Sequence, residues 1–254
     1  MTIHDELHRP DWSKWRSWFA SRAYRQLPDP FADEPQLASV PQSVARSLAI
    51  FQLGESGGGT IVEEVRHSRL DAIDDNYAEA MALFVDEEHH HAELLACGVR
   101  MLGGELIRKN WTARLFVFGR RLMGLRLKVT VLLVAEVVGI CYYHLLASRL
   151  PQSQLRSMLN KLVEDELSHL DFHCAFLRTQ TATPARLALF KFVWRMLSRA
   201  AAAVVMVDHH RALRDLGIRP RAAWRRWMSF SRHAEQVVSS RVPEAESVRY
   251  VPSN

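Results

Sequence analysis

Two stretches of the chain carry the same arrangement of acidic residues and histidine. The first reads Val-Asp-Glu-Glu-His-His-His at 85–91, and the second reads Val-Glu-Asp-Glu-Leu-Ser-His at 163–169. Each places a glutamate three positions before a histidine, and residues three apart on a helix lie on the same side of it. Carboxylate and imidazole groups together bind divalent transition metals, so each stretch is a candidate half of a metal site. The paired residues are Glu88 with His91 and Glu166 with His169.

A single glutamate precedes each pair: Glu55 lies 33 residues before Glu88, and Glu136 lies 30 residues before Glu166. Two lone glutamates and two Glu-x-x-His pairs form the ligand set of carboxylate-bound pairs of iron or manganese ions in four-helix bundles. An isolated buried carboxylate is costly or takes up a proton, so four of them in one core need compensating charge. Two divalent cations beside neutral histidines supply it, and the sequence therefore predicts a dinuclear metal site.

The two halves of the site belong to an internal repeat. Positions on the later Glu-x-x-His helix match positions 78 residues earlier, and positions around Glu136 match positions 81 residues earlier. The matched residues follow the 3 and 4 spacing of one buried helix face, so two copies of an antiparallel helix pair are expected. The first set pairs Leu155, Leu159, Leu162, Glu166, His169, His173 and Phe176 with Tyr77, Met81, Phe84, Glu88, His91, Leu95 and Gly98; the second pairs Val129, Leu132, Glu136, Gly139 and Tyr143 with Leu48, Phe51, Glu55, Gly58 and Val62.

The pattern of apolar residues and breakers predicts helices throughout and no strands, which makes the fold class all-α. A short amphipathic helix around Trp12–Phe19 is followed by prolines, and a basic, partly helical crossover is expected over 106–124. Gly103 and Gly104 are expected to end the helix that carries Glu88. The longer helices are predicted at about 43–67, 70–102, 125–150, 152–180, 185–216 and 222–241.

Two ligand positions have neighbours that compete with them. Glu87 and His90 form a second Glu-x-x-His pair one register earlier, but only Glu88 and His91 match the later copy. Glu63 and Glu64 compete with Glu55, which alone matches Glu136 in the repeat. The preferred ligands are therefore Glu55, Glu88, His91, Glu136, Glu166 and His169.

Acidic residues next to the ligands are candidates for orienting the histidines. A metal-bound histidine usually donates its other ring N–H to a carboxylate. We therefore expect Asp165 to orient His91 and Glu87 to orient His169 across the bundle; the alternative is that both acids lie on the surface.

Other residues near the predicted site have two interpretations each. His173 is either a further group of the site or a buried histidine of the core, and Tyr143 is either a core tyrosine or a redox-active one. Asp208-His209-His210 is either a helix surface or a second site. Gly57-Gly58-Gly59 either stays helical and opens space beside the metals or forms a loop that splits the helix in two.

Composition bounds the class of protein. With 254 residues and 48% hydrophobic residues, the chain can bury a sizeable core. Three cysteines in apolar stretches, Cys97, Cys141 and Cys174, indicate reduced core residues rather than a disulfide framework. The N-terminus lacks the pattern of a signal peptide, and no stretch of about 18 residues is both apolar and free of charge. A cytoplasmic protein without a membrane span is expected.

The positive charge is concentrated at 108–128 and 211–232. A net charge of +5 is modest for this length and is compatible with solvated helix faces. Trp224, Arg225, Arg226 and Trp227 mix charge with aromatic rings, which also suits a peripheral membrane contact. No nucleic-acid-binding module accompanies them, so nucleic acid is not an expected partner.

With these motifs, the chain resembles the ferritin-like superfamily over about 43–180. It is similar to the di-iron oxidase branch, which includes rubrerythrin, the ribonucleotide reductase small subunit, bacterial multicomponent monooxygenases, acyl-carrier desaturases, demethoxyubiquinone hydroxylase and the tRNA hydroxylases. The resemblance implies a four-helix bundle with a long crossover between two antiparallel pairs. Residues 1–42 and 181–254 would then be helical extensions that the resemblance does not cover.

The resemblance implies two iron ions, with manganese or a mixed pair as alternatives, and a non-haem enzyme that uses O2 to hydroxylate or otherwise oxidise a small organic substrate. No rubredoxin-like cysteine set is present, so an external electron donor is expected. The alternatives are a ferroxidase, peroxidase or iron-handling protein, and a structural or binding bundle with a static metal. A homodimer is compatible with each of them.

Overall fold

The described residues of the chain fold mainly into helices. The computed structural model describes residues 10–22, 27–29, 31, 33–57, 60–70, 72–110 and 124–240, and these contain no strand. The all-α fold class is therefore confirmed for the described residues. The α-helices are α1 (Trp12–Ala20), α2 (Gln42–Glu55), α3 (Thr60–Arg66), α4 (Asp75–Met101), α5 (Leu125–Ala147), α6 (Gln154–Gln180), α7 (Pro184–Asp208), α8 (His210–Asp215) and α9 (Pro220–Ser239), and Pro35–Ser39 is a 3-10 helix.

Local sequence signals fix where the two ligand-bearing helices begin and end. The Asp74 carboxylate accepts a hydrogen bond from the Tyr77 backbone N–H at the start of α4, and the Ser153 hydroxyl does the same for Arg156 at the start of α6. Such caps satisfy backbone donors that have no partner within the helix. Gly103, with φ +64°, follows the last turn of α4 in the left-handed conformation that glycine tolerates. The expected end of this helix at Gly103 is thus confirmed.

Two helix pairs form the centre of the protein. The helix α5 packs along α6, α2 packs against α4, and α4 also contacts α6. The matched positions of the internal repeat on α4 and α6 all lie on faces that are buried or nearly so. Because each face repeats every three or four residues, it brings the Glu-x-x-His pairs of both helices into the same interior.

The terminal helices cover the central pairs. The helix α1 packs on α4 and buries Trp12 and Phe19, while α9 packs on α5, α6 and α7. The helix α7 in turn lies on α5.

Two of the predicted long helices are interrupted. The one expected over 43–67 is wrong as a continuous helix: α2 ends at Glu55, α3 begins at Thr60, and Ser56 and Gly57 lie outside both helices. The high conformational freedom of glycine explains the break, although Gly58 and Gly59 lie outside the described residues. The helix expected over 185–216 breaks at His209. Most of the expected crossover, 111–123, also lies outside the described residues.

The helix α5 is long and apolar, although it is not free of charged residues. By length and composition it could cross a membrane, although Glu136 lies near its middle. In the folded protein, 83% of its most apolar 18-residue window is buried against other parts of the chain. Such burial is typical of a core helix. One helix of this length and composition is only weak evidence for a membrane span.

Candidate metal centre

Four helices bring the six predicted ligands together. Glu55 is the last residue of α2, Glu136 lies mid-way along α5, and the two Glu-x-x-His pairs lie on α4 and α6. His91, Glu136, Glu166 and His169 are buried, and Glu55 and Glu88 are partly buried.

The two Glu-x-x-His pairs form the centre of the cluster. One side-chain oxygen or nitrogen from each of Glu88, His91, Glu166 and His169 lies within 4.8 Å of those of the others. Nδ1 of His169 lies 2.9 Å from Oε1 of Glu88 on the other helix. Nδ1 of His91 lies 3.2 Å from Oε1 of Glu166 in the reciprocal contact. Each histidine therefore faces the glutamate of the opposite pair.

Several polar atoms at this centre are buried without a hydrogen-bond partner among the described residues. They are Nδ1 of His91 and of His169, Oε1 of Glu88, and both carboxylate oxygens of Glu166. Buried polar groups nearly always have partners, so a group of orphans in one place requires an explanation. A cation between the nitrogens and the oxygens would supply the missing partner for all of them. The donor set fits divalent metal ions of the iron, manganese or zinc type.

The two lone glutamates lie beside this centre. Oε2 of Glu136 is 3.8 Å from Nδ1 of His169. Glu55 accepts a hydrogen bond from the Tyr143 hydroxyl at 2.6 Å. A Cβ at Gly139 would lie 3.6 Å from the Glu166 carboxyl carbon, which is an ordinary contact, and 3.3 Å from a ring carbon of Tyr143, so α5 passes close to the cluster at this position.

The electrostatics of the cluster favour proton uptake when no metal is bound. Burial, together with the charges of Glu88 and Glu166, raises the pKa of Glu55 and of Glu136 well above the usual range. Burial also opposes charge on Glu166, but its close polar contacts with Glu136, His169 and His91 outweigh it and hold the pKa of Glu166 well below that range. Since metal ligands must be deprotonated, metal binding here would displace protons.

The outer ring nitrogens face the two acids expected to orient them. Nε2 of His169 is hydrogen-bonded to Oε2 of Glu87 at 3.1 Å, and Nε2 of His91 lies 3.5 Å from Oδ2 of Asp165. Both contacts cross from one Glu-x-x-His helix to the other, as expected from the sequence. When Nε2 of His169 donates to Glu87, Nδ1 of the neutral ring presents a lone pair to the centre.

Arg22 is a member of the site that sequence analysis missed. Its Nε lies 3.3 Å from Oε1 of Glu87, and its guanidinium also pairs with Asp165. A second cation, Nζ of Lys161, lies 3.4 Å from Asp165. Arg22 follows α1, and no local pattern links it to residues 65 and 143 positions further along the chain. It places one positive charge between the two carboxylates that face the histidines.

The remaining neighbours take distinct places. His173 is buried, its Nε2 lies 3.3 Å from Oε1 of Glu136, and burial followed by the charge of His169 lowers its pKa to about 3. Its ring packs edge-on against Phe84 at a centroid distance of 4.7 Å. His173 is thus a neutral imidazole beside a ligand position. Tyr143 is buried and hydrogen-bonded to Glu55.

The residues Glu63, Glu64 and His90, which compete for the predicted ligand positions, contact side chains outside the cluster. Glu63 pairs with His67 and Arg66 on the exposed side of α3, and Glu64 pairs with Lys128. Nδ1 of His90 lies 3.7 Å from Glu93, which is itself exposed. Among the described acids of this segment, Glu55 is the one that reaches the cluster.

An apolar pocket of about 360 Å³ lies against the carboxylate side of the cluster. Among the described lining residues, the acidic ones are Glu55, Glu88 and Glu136, and most of the others are apolar side chains of α2, α4, α5 and α7. Gly54, Gly57 and Ala200 line the pocket and are also exposed, so the pocket opens at the surface between the end of α2 and α7. A small apolar molecule in it would lie directly beside the ligand carboxylates.

His209 also lines this pocket and is buried. Its Nδ1 is hydrogen-bonded to the Ser47 hydroxyl at 2.6 Å, and Ser47 is also hydrogen-bonded to the Tyr142 hydroxyl. The ring of Phe51 packs on the imidazole at a centroid distance of 4.9 Å. The interpretation of 208–210 as a helix surface is therefore wrong for His209. Asp208 is instead bonded to Asn110, and His210 is exposed.

Burial of His209 predicts a pH-dependent term in stability. Burial lowers its pKa to about 4 from an ordinary 6.5, so the folded state favours the neutral ring. The unfolded chain binds more protons in this window, so stability is fully present above pH 6.5 and falls as the pH drops toward 4. The loss at the acid end is at most about 3 kcal/mol. Urea unfolding of His209→Gln across this range should show a smaller acid loss than the wild type.

The neighbouring His210→Gln provides the control, because His210 is exposed. An acid loss that is the same in wild type and His209→Gln would contradict the prediction.

No family model, no curated protein and no solved structure matches this chain. The chemistry and geometry of the buried cluster and its pocket are therefore the basis for inferring function.

Proposed function

We propose that the protein is a non-haem di-iron oxidoreductase that uses O2 to hydroxylate or otherwise oxidise a small, largely apolar organic substrate. The observation that carries this proposal is the juxtaposition of an apolar pocket with a buried set of glutamates and histidines whose inward atoms lack partners. Pockets of this kind, with a few converging polar groups, are the usual sites for small molecules.

In this proposal, two iron ions are held by Glu55, Glu88, His91, Glu136, Glu166 and His169. Their charge of +4 would balance the four carboxylates, and bound iron would supply the activation of O2. Manganese or a mixed pair fits the same donor set, since both accept oxygen and imidazole ligands. The fold would then be a ferritin-like bundle, with α2/α4 and α5/α6 as the two antiparallel pairs.

The chain's own residues prepare the site. Glu87 and Asp165 hold the outer nitrogens of the histidines, which fixes the inward direction of Nδ1. Tyr143 holds Glu55 through its hydroxyl. The apolar wall would limit water beside bound metals and hold an organic substrate there. The three cysteines are buried and free, which leaves reducing electrons to an external donor.

The pocket also separates this proposal from iron handling. A ferroxidase or peroxidase needs access for Fe²⁺ or peroxide, and a polar path serves these better than an apolar one. The lining of this pocket instead suits an organic molecule. A bundle with a static metal would gain nothing from a pocket that reaches the ligands from the surface.

An anaerobic titration of metal-free protein with Fe²⁺, followed by O2, tests the proposal. Optical and Mössbauer spectra should show two irons per chain that are oxidised from the ferrous to the ferric state. Oxidation that proceeds through many irons per chain would favour iron handling instead. Irons that stay ferrous, or uptake without a fixed stoichiometry, would rule out an O2-using di-iron enzyme.

The pocket mouth permits a prediction that separates substrate binding from metal binding. A Cβ added at Gly54 meets no atom within 4 Å, so a side chain can begin there without a clash at its first carbon. Gly54→Phe should obstruct the mouth and weaken binding of a neutral apolar fluorescent dye, Nile red, by roughly tenfold, which corresponds to about 1.4 kcal/mol. Metal stoichiometry should not change.

Gly54→Ala is the matched control. It should leave dye binding unchanged and stabilise the helix by about 0.5–1 kcal/mol, because alanine loses less entropy than glycine in a helix. Equal dye binding by Gly54→Phe and Gly54→Ala would show that the dye does not enter by this mouth.

A further inference from the structure

The outer face of α7 is apolar and faces solvent. Leu189, Phe192, Met196 and Val207 are 63%, 64%, 59% and 66% exposed, and they are four of the seven large apolar residues that are exposed in the described parts of the chain. Their spacing places them on one side of the helix. The exposed Ala200 and Ala203 fill the same side between Met196 and Val207, so the stripe is continuous over about 27 Å. An exposed apolar patch of this extent marks an interaction surface.

Basic residues flank this stripe. Between Pro184 and Val207 there are four basic residues and no acidic one. Arg195 is paired with Glu235 on α9. The exposed Arg186 and Arg199 border the stripe and form no ion pair within the described ranges, whereas Lys191 lies on nearly the opposite side of the helix. An apolar helix face bordered by unpaired cations is the pattern of a helix that lies in the plane of a membrane interface.

The stripe adjoins the mouth of the pocket. Ala200 is exposed on α7 and also lines the pocket, together with Leu197 and Val204 from the same helix. One side of α7 thus faces solvent with apolar residues while the other forms a wall of the apolar pocket. A molecule dissolved in a bilayer that covered the stripe would reach the pocket without crossing water.

We propose that the α7 stripe docks onto the surface of an anionic lipid bilayer, with its apolar side chains at the acyl boundary and its cations at the headgroups. A second copy of the chain fits the stripe less well. A twofold contact about the middle of the stripe would bring the same patch to itself and place Arg199, which lies near that middle, close to its own copy. If the proposed function holds, the substrate is a lipid-soluble compound taken from that bilayer; this part rests on the proposed function, whereas the docking does not.

Flotation of the full, metal-free chain with vesicles tests the docking. Binding is expected to vesicles of phosphatidylglycerol and phosphatidylcholine, and to fall with salt and with phosphatidylcholine alone, because headgroup attraction is electrostatic. Phe192→Glu combined with Met196→Glu should weaken binding by about tenfold or more. Phe31→Glu, at a residue that is 81% exposed elsewhere on the chain, should leave it unchanged. Circular dichroism checks that each variant is folded.

Three results would overturn the proposal. The first is that the wild type does not bind anionic vesicles at low salt, and the second is that Phe31→Glu weakens vesicle binding as much as the α7 double variant does. The third is that light scattering shows a wild-type dimer that does not bind vesicles and that the α7 double variant dissociates into monomers. The flotation assay uses metal-free protein, so its result does not depend on the proposed function. Vesicle binding by a protein that fails the titration with Fe²⁺ and O2 would support the bilayer contact and rule out only the proposed function.

Discussion

Glu166→Gln is expected to abolish stoichiometric binding of divalent metal. Glu166 lies between the two histidines, with Oε1 3.2 Å from Nδ1 of His91 and Oε2 3.4 Å from Nδ1 of His169. It is also the carboxyl group whose pKa the cluster holds well below its usual range, so it supplies an anion without first losing a proton at neutral pH. Glutamine keeps the shape and removes that charge, which should weaken metal binding at least about 100-fold.

Thermal unfolding with and without Fe²⁺ or Mn²⁺ measures this loss. A metal present at about 100 times its dissociation constant stabilises the folded state by about 2.7 kcal/mol. For a chain of this size, that raises the Tm by roughly 5–10 °C. Glu166→Gln should show almost none of this rise, and elemental analysis should find little metal after gel filtration.

Glu164→Gln is the matched control, since Glu164 lies on the same helix, is 67% exposed and pairs only with Lys161 among the described residues. It should bind metal as the wild type does. Retention of two metals by Glu166→Gln would mean that the cluster is not the metal site.

Helix periodicity was enough to predict the faces on which the ligands lie. Glu88 with His91 and Glu166 with His169 are three apart, so any helix through them presents both side chains together. The repeat added the register, and it favoured His91 over His90, which lies beside the exposed Glu93. These predictions depend on local geometry, and local geometry is what a sequence encodes most directly.

The features that the sequence did not predict depend on contacts between distant segments. Arg22 reaches the site because α1 packs on α4, and nothing near Arg22 in the chain indicates that contact. The sequence predicts His209 as part of a continuous helix. In the structure it directly follows the last residue of α7 and is hydrogen-bonded to Ser47, which lies 162 positions away. The pocket requires the break after Glu55 and the placement of α7 over α5. Apolar periodicity gives the buried side of each helix but not its neighbour.

Arg22→Ala is expected to destabilise the fold and weaken metal binding together. Asp165 is fully buried and Glu87 is nearly so, and the Arg22 guanidinium lies between them. Removal of one member of a buried ion pair leaves its partners uncompensated, at a cost on the order of 3 kcal/mol. Lys161 remains near Asp165 and limits that cost. Loss of the carboxylates that orient the histidines typically lowers metal affinity 10–100-fold, and loosening them should act in the same direction.

Urea unfolding and metal titration of three variants distinguish this role from ordinary surface pairing. Arg16→Ala removes an ion pair between α1 and α4 in which both side chains, Arg16 and Glu79, are exposed, so its effect should stay below about 1 kcal/mol. Arg22→Lys keeps the charge but loses the planar fork that can contact two carboxylates, and it should fall between wild type and Arg22→Ala. If Arg22→Ala lost stability yet bound metal with wild-type affinity, Arg22 would support α1 alone. A parallel loss of both would show that Arg22, which directly follows α1, positions the metal ligands.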